Sequence, residues 1–168
     1  RTSLPGVYAV GDIVPGLQLA HRGFQQGIFV AEDIAGLSPQ PVDEAGIPRV
    51  TYSHPEVASV GLTEAQAVDA HGADAVRCVT YDLGGNGKSQ ILKTQGFVKL
   101  VSLADGPVIG LHLVGDRVGE LIGEAQLIYG WEGHADDVAP LVHAHPTQNE
   151  ALGEAHLALA GKPLHAHS

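Results

Sequence analysis

The apolar positions of this chain change their period near residue 48. Val7-Tyr8-Ala9-Val10 is a short apolar run closed by Gly11-Asp12, the pattern of a buried strand that ends in a turn. Such a strand needs neighbours, so its sheet partners are expected upstream of this segment. From about Leu19 to Gly36 the spacing becomes helical, with Phe24, Ile28, Val30, Ala31 and Ile34 available for one face. Pro39, Pro41 and Pro48 then break the pattern. We place a linker at residues 39–47, between a segment 1–38 and a domain 48–168.

Beyond the linker, Arg49–Tyr52 and Val57–Gly61 read as strands. Thr63-Glu64-Ala65-Gln66 is a capping box opening a short helix to about His71. Three more strands are expected at Ala75–Tyr81, Gly96–Leu103 and Val108–Val114. The last two are joined through the turn residues Ala104-Asp105-Gly106-Pro107. Val118, Leu121, Ile122, Ala125 and Ile128 give Arg117–Gly130 a helical stripe. Asp136–Val142 and Thr147–Ala160 are further helix candidates. Strands followed by helices imply an α+β fold, an antiparallel sheet with helices on one face. The last two long helices carry more apolar positions than a thin sheet can cover, so residues 48–168 are expected to self-associate.

Composition narrows the classes. Apolar residues make up 44% of the chain, which suits a packed core and not a disordered segment. The formal net charge of −10 disfavours nucleic acid, which needs a positive surface. No run is long enough for a membrane span and no leader pattern is visible, so a cytoplasmic protein is the expectation. A single cysteine, Cys78, excludes an internal disulfide and is expected to be a small buried side chain. The chain opens on Arg1 and has no methionine, so a processed chain or a part of a longer one is expected.

Two stretches can carry chemistry. Asp12 follows an apolar strand, where α/β sheets bind ligands, and its carboxylate can accept from a sugar-alcohol hydroxyl. Gly-Asp is also common turn chemistry. A helix start near Gln18-Leu19-Ala20-His21 would bring free backbone N–H groups close to it, suited to a ligand oxygen. In the second stretch, His143-Ala144-His145-Pro146-Thr147-Gln148-Asn149-Glu150, a histidine precedes a helix whose first turn carries a carboxylate. Such a pair can act as base and orienter. Thr147-x-x-Glu150 is equally a capping box, and its two carboxylate oxygens could serve both roles. His143-x-His145 has metal-ligand spacing, but no further ligand cluster stands nearby.

These residues resemble the pyridine-nucleotide disulfide reductases. Thr2 to Gly27 is similar to the family's second flavin-binding segment, and His145-Pro146-Thr147 with Glu150 to its active-site signature. Tyr52 to Gly61 resembles the opening of the interface domain, and Gly115-Asp116-Arg117 through Glu124 its long interface helix. The Leu19-Ala20-His21-Arg22 form is closer to the branch that oxidises dihydrolipoyl groups than to glutathione reductases. Asn86-Gly87-Lys88-Ser89 departs locally, since many relatives carry arginine in place of Lys88.

The resemblance implies that Asp12 binds the ribitol chain of FAD. It places Gln18, Leu19, Ala20 and His21 against the flavin pyrimidine ring. It makes His145 the acid/base for substrate thiols and Glu150 its orienter, with His143 and His54 structural. It also implies NAD, whose site is not in this chain, and a homodimer in which His145 completes the partner's site. The lipoyl-bearing acyltransferase of 2-oxoacid dehydrogenase complexes would be a partner, together with the upstream part of the same chain. The family's Cys-x4-Cys disulfide and glycine-rich pyrophosphate turns are absent from this sequence. The chain alone is therefore expected to be inactive and to hold FAD weakly. A glutathione-reductase-like enzyme and a non-catalytic dimerisation module are the alternatives.

Overall fold

A computed structural model of the chain describes residues 1–165, which divide into two compact units, Arg1–Ile47 and Pro48 onward. In the first unit, helix α1 spans Ala20–Ile34. Its apolar positions follow the expected spacing, yet Phe24, Ile28 and Ile34 are exposed and Arg22 is the helix's buried residue. Val7–Val10, the strand whose partners were expected upstream, pairs with no strand among the described residues. Val10 has extended backbone, and both valines are exposed. Val7 instead bonds locally, its N–H donating to Leu4 C=O and its C=O accepting from Thr2 N–H.

The second unit is an α+β layer, as its sequence pattern implies. Strands β1 (Arg49–Thr51), β2 (Glu56–Gly61), β3 (Val76–Asp82), β4 (Phe97–Leu103) and β5 (Val108–Gly115) form one sheet. Its order is β1-β2-β5-β4-β3, antiparallel at every pairing. Helix α2 (Glu64–His71) sits between β2 and β3, opened by the Thr63–Gln66 capping box. A six-residue helix, α3 (Gly87–Leu92), follows β3 and was not expected; the Asn86 side chain caps it by accepting from Ser89 N–H. The C-terminal helices are α4 (Val118–Gly130), α5 (Ala135–Val138) and α6 (Glu150–Leu159). Helix α4 packs over β2 and β5, and α6 over β3 and β4.

The core lies between this sheet and the two helices. Alternate residues of the central strands, Val98 and Leu100 on β4 and Leu111 and Leu113 on β5, face Val118, Leu121, Ile122, Ala125 and Ile128 of α4. From α6, Ala151, Leu152 and Ala155 close the same cluster. Both helices bury most of their apolar positions against the sheet. Leu127 on α4 stays at the surface, and so do Trp131, Leu141 and Val142 beyond it, the last 98% exposed.

Two boundaries shift for local reasons. Helix α5 stops at Val138, short of Val142, because Pro140 lacks the N–H that the next turn needs. Helix α6 starts at Glu150, three residues late. Before it, Ala151 N–H donates to Gln148 C=O and Leu152 N–H to Asn149 C=O, a tighter three-residue turn. No described helix is long and apolar enough to cross a membrane.

Candidate active site

The segment from Val142 to Asn149 lies outside the helices and strands and is held by the side chains of Asn86, Ser89 and Glu124 and by the Asp116 carbonyl. Asn86, buried ahead of α3, donates from Nδ2 to Thr147 C=O at 3.0 Å. Ser89 of α3 donates its hydroxyl to Gln148 Oε1 at 2.7 Å, and Gln148 Nε2 donates to Asp116 C=O at 2.9 Å. Asn86, Ser89 and Gln148 are all buried, so these bonds act in a low dielectric, where leaving a member unpaired is costly. From α4, Glu124 accepts from His143 Nε2–H at 2.8 Å and from Asn149 Nδ2 at 2.6 Å.

This scaffold presents His145. Its Nδ1–H donates to Glu150 Oε1 at 2.8 Å, while Glu150 Oε2 accepts from Thr147 N–H at 2.7 Å. The carboxylate thus serves the imidazole and the helix entry at once. Glu150 N–H in turn reaches Thr147 Oγ1 at 3.4 Å, completing the box. The His145 side chain is 76% exposed, whereas Glu150 is 23% exposed. A ring whose Nδ1 is fixed by a carboxylate offers Nε2 as an acceptor to whatever approaches from outside. Gly87 lies directly behind it: a Cβ there would stand 3.5 Å from His145 Cε1. Gly87 was noted in the sequence only within a local variation, and its place under the imidazole had no sequence signal.

His143 and His145 do not converge. Each faces its own carboxylate, and among the described residues no group of three or more His, Cys, Asp and Glu side chains could hold a metal. His54 is exposed in the turn before β2. Cys78 is half-buried on β3, and burial, then the nearby Glu64 carboxylate, pushes its thiol above the ordinary range, away from thiolate chemistry.

In the first unit, Asp12 sits in a single 3₁₀ turn, Gly11–Ile13, with its carboxylate exposed. Gly11 N–H donates to Gln26 of α1 at 2.7 Å, which ties this turn to the helix. Helix α1 begins at Ala20 with Leu19 as N-cap and no capping side chain, so its first N–H groups have no side-chain acceptor at Leu19. Gln18 and His21 are exposed and Leu19 half-buried. Arg22 was read in the sequence only as part of the Leu19–Arg22 form, with no role of its own. Its guanidinium is buried, donates from Nε to Glu44 at 2.9 Å, and reaches Leu17 C=O and Pro15 C=O at 3.2 and 2.7 Å. Arg22 therefore fixes the loop that delivers Gln18 and Leu19 to the helix start.

Comparison with known proteins places this arrangement in a family. Residues 47–156 match the profile described as pyridine nucleotide-disulphide oxidoreductase, dimerisation domain. A dihydrolipoyl dehydrogenase of Bacillus subtilis (strain 168) is 41% identical over 167 residues, covering 98% of this chain and 35% of that protein. Dihydrolipoyl dehydrogenase 1, mitochondrial, of Arabidopsis thaliana is 39% identical over 166 residues, covering 98% and 32%. The crystal structure of LpdA from Mycobacterium tuberculosis superposes with a TM-score of 0.88 at 26% identity, over 95% of this chain and 35% of that one. The chain thus spans about a third of the length of the relatives it matches. With its five-stranded antiparallel sheet and most of its length inside the matched domain, the chain belongs to the pyridine nucleotide-disulphide oxidoreductases.

Proposed function

We propose that this chain is the C-terminal, dimerisation part of a dihydrolipoyl dehydrogenase, and that His145 and Glu150 are its acid–base pair for substrate thiols. The observation that carries this reading is the exposed imidazole with Nδ1–H bonded to a half-buried carboxylate, which leaves Nε2 free to take a proton. A dihydrolipoyl S–H would give its proton to Nε2, and the resulting thiolate is the nucleophilic form. Glu150 holds the tautomer and stabilises the imidazolium while the proton is resident. Thr147 N–H keeps Glu150 from swinging away during that step.

The same reading gives residues 1–38 to a flavin-binding domain, with 39–47 as the linker. Asp12 would accept from hydroxyls of the FAD ribitol, and the uncapped start of α1 at Gln18, Leu19, Ala20 and His21 would face an oxygen of the flavin ring. The exposed carboxylate and a helix start with no capping side chain fit such a ligand. Bound there, FAD would supply electron transfer between the thiols and NAD. A homodimer follows from the domain matched, and Leu141 and Val142, exposed beside the His145 segment, suit a site closed by a second subunit. The lipoyl-bearing acyltransferase of a 2-oxoacid dehydrogenase complex would be the physiological partner.

The test uses the longer protein that contains this chain. His145→Ala should lower dihydrolipoamide-linked turnover by about 10²–10⁴-fold, the usual contribution of a positioned acid or base. Electron transfer from NADH to an artificial acceptor that bypasses the thiols should survive. Equal loss in both reactions, or wild-type lipoamide turnover, would overturn the assignment.

A further inference from the structure

We infer that Glu124 is a positioning residue for His145, acting through His143 and Asn149. The inference rests on the acid–base reading above and extends it to a residue 21 positions away in sequence. The two residues that Glu124 grips lie on either side of His145. Oε1 takes the N–H of His143, two residues before it, and Oε2 the amide of Asn149, four residues after. One carboxylate on a regular helix therefore ties both ends of the segment on which His145 stands, while the His145 ring itself is bonded to Glu150 alone. A hydrogen bond to a carboxylate is stronger than one between neutral groups, and two of them to one rigid point fix the separation of the segment's ends.

Gly153 supplies an independent reason to regard this grip as built. His143 lies flat on α6, where a Cβ at position 153 would stand 2.7 Å from its Nδ1 and 3.0 Å from its Cε1. Any side chain there must push His143 off its seat and so off Glu124. The Asn86 and Gln148 bonds hold the same segment from the other side. They are buried in the core of the unit, however, so their loss would unsettle the fold along with the site. Glu124 is 28% exposed and His143 13%, which lets the clamp be opened with less effect on the core.

The experiment compares Glu124→Ala, Glu124→Gln and Gly153→Ala in the longer, flavin-loaded protein. Glu124→Ala should lower kcat for dihydrolipoamide by up to about 100-fold, the scale on which a displacement of about 1 Å acts, with KM little changed and the thiol-independent bypass reaction intact. Glu124→Gln should recover most of the loss: its carbonyl accepts from His143, and Asn149 can turn its amide to offer oxygen to the new NH₂. Gly153→Ala should reproduce the loss of Glu124→Ala although alanine favours the helix over glycine. In a His145→Ala background, Glu124→Ala should cost nothing further, because there is no imidazole left to position.

A full additional loss in that background, or a Glu124→Gln protein as impaired as Glu124→Ala, would overturn the inference and leave Glu124 as a stability residue. If His145→Ala alone had no effect, the acid–base reading would fall first. The positioning claim would then be decided by the His145 Nδ1–H resonance of ¹⁵N-histidine-labelled protein. That signal should broaden or move in Glu124→Ala if the clamp sets the ring, and an unchanged signal would sink the claim.

Discussion

The two units of this chain carry similar amphipathic patterns and use them differently. In Pro48 onward the stripe of α4 is buried residue for residue, and the polar groups around His145 are closed by bonds within the same unit. In Arg1–Ile47 the stripe of α1 forms its helix, yet Phe24 is 71% exposed and Ile34 66%. A pattern of spacing is enough to nucleate an element; burial requires an opposing surface. The contrast separates a region whose chemistry is organised by its own packing from one whose apolar stripe is left open in this chain.

The contrast breaks most sharply on core truncation. Leu113, fully buried between the sheet and its helices, should cost about 2–5 kcal/mol when changed to alanine, from lost transfer energy and the cavity left behind. Ile28→Ala on α1 should stay within about 0.5 kcal/mol in this chain, since the side chain is already half in water. Urea unfolding read by circular dichroism would compare them. Comparable losses would mean that the first unit is packed as firmly as the second.

Acid should act on the second unit through buried imidazoles. His156 on α6 is fully buried, donates from Nδ1 to Leu152 C=O, and its Nε2 has no partner among the described residues. Burial holds its pKa below the ordinary value of 6.5, against the opposing pull of that carbonyl and of Glu124, while His143 adds to the lowering. His112 on β5 is depressed in the same direction by burial. A depressed histidine is neutral when folded and takes its proton on unfolding. Its effect is absent above pH 6.5, and stability falls as pH drops from 6.5 toward the folded-state pKa. His156→Leu should flatten this acid limb in part, His112 supplying the remainder. Superimposable stability–pH curves for the variant and the parent would show that His156 does not titrate in this way.

How far the sequence reached follows the same division. The periodicity of Val118 to Ile128 and the turn residues at Ala104–Pro107 report local geometry, and both elements are present. The antiparallel α+β fold was legible for that reason. Helix α3 was not, because six residues are too few for a period to show; its one signal was Asn86 in a capping position. His145 and Glu150 lie five residues apart, so local chemistry brings them together. The Glu124 clamp joins residues 19 and 25 positions apart and depends on how α4 packs. For Val7–Val10 the period was read as a strand with its partners upstream, and no described strand of this chain pairs with it.

The smallest expected effect sets the two helix starts against each other. Helix α2 opens on a full capping box: Thr63 accepts from Gln66 N–H, and Gln66 Oε1 accepts from Thr63 N–H at 2.9 Å. Thr63→Ala removes one side-chain acceptor and exposes an N–H to water, a loss of about 0.5–2 kcal/mol. Helix α1 opens on Leu19 with no capping side chain, so Leu19→Ser offers a side-chain acceptor that leucine lacks. If the start of α1 is merely an untidy end, that change should add stability by part of the same amount. If its N–H groups serve a ligand oxygen, as proposed, the new hydroxyl competes for them, and the longer protein should hold FAD less tightly even as the helix gains. Calorimetry on the 168-residue chain and flavin retention in the longer protein measure the two sides. A serine that stabilised the chain and left flavin retention unchanged would remove the α1 start from the proposed cofactor contacts.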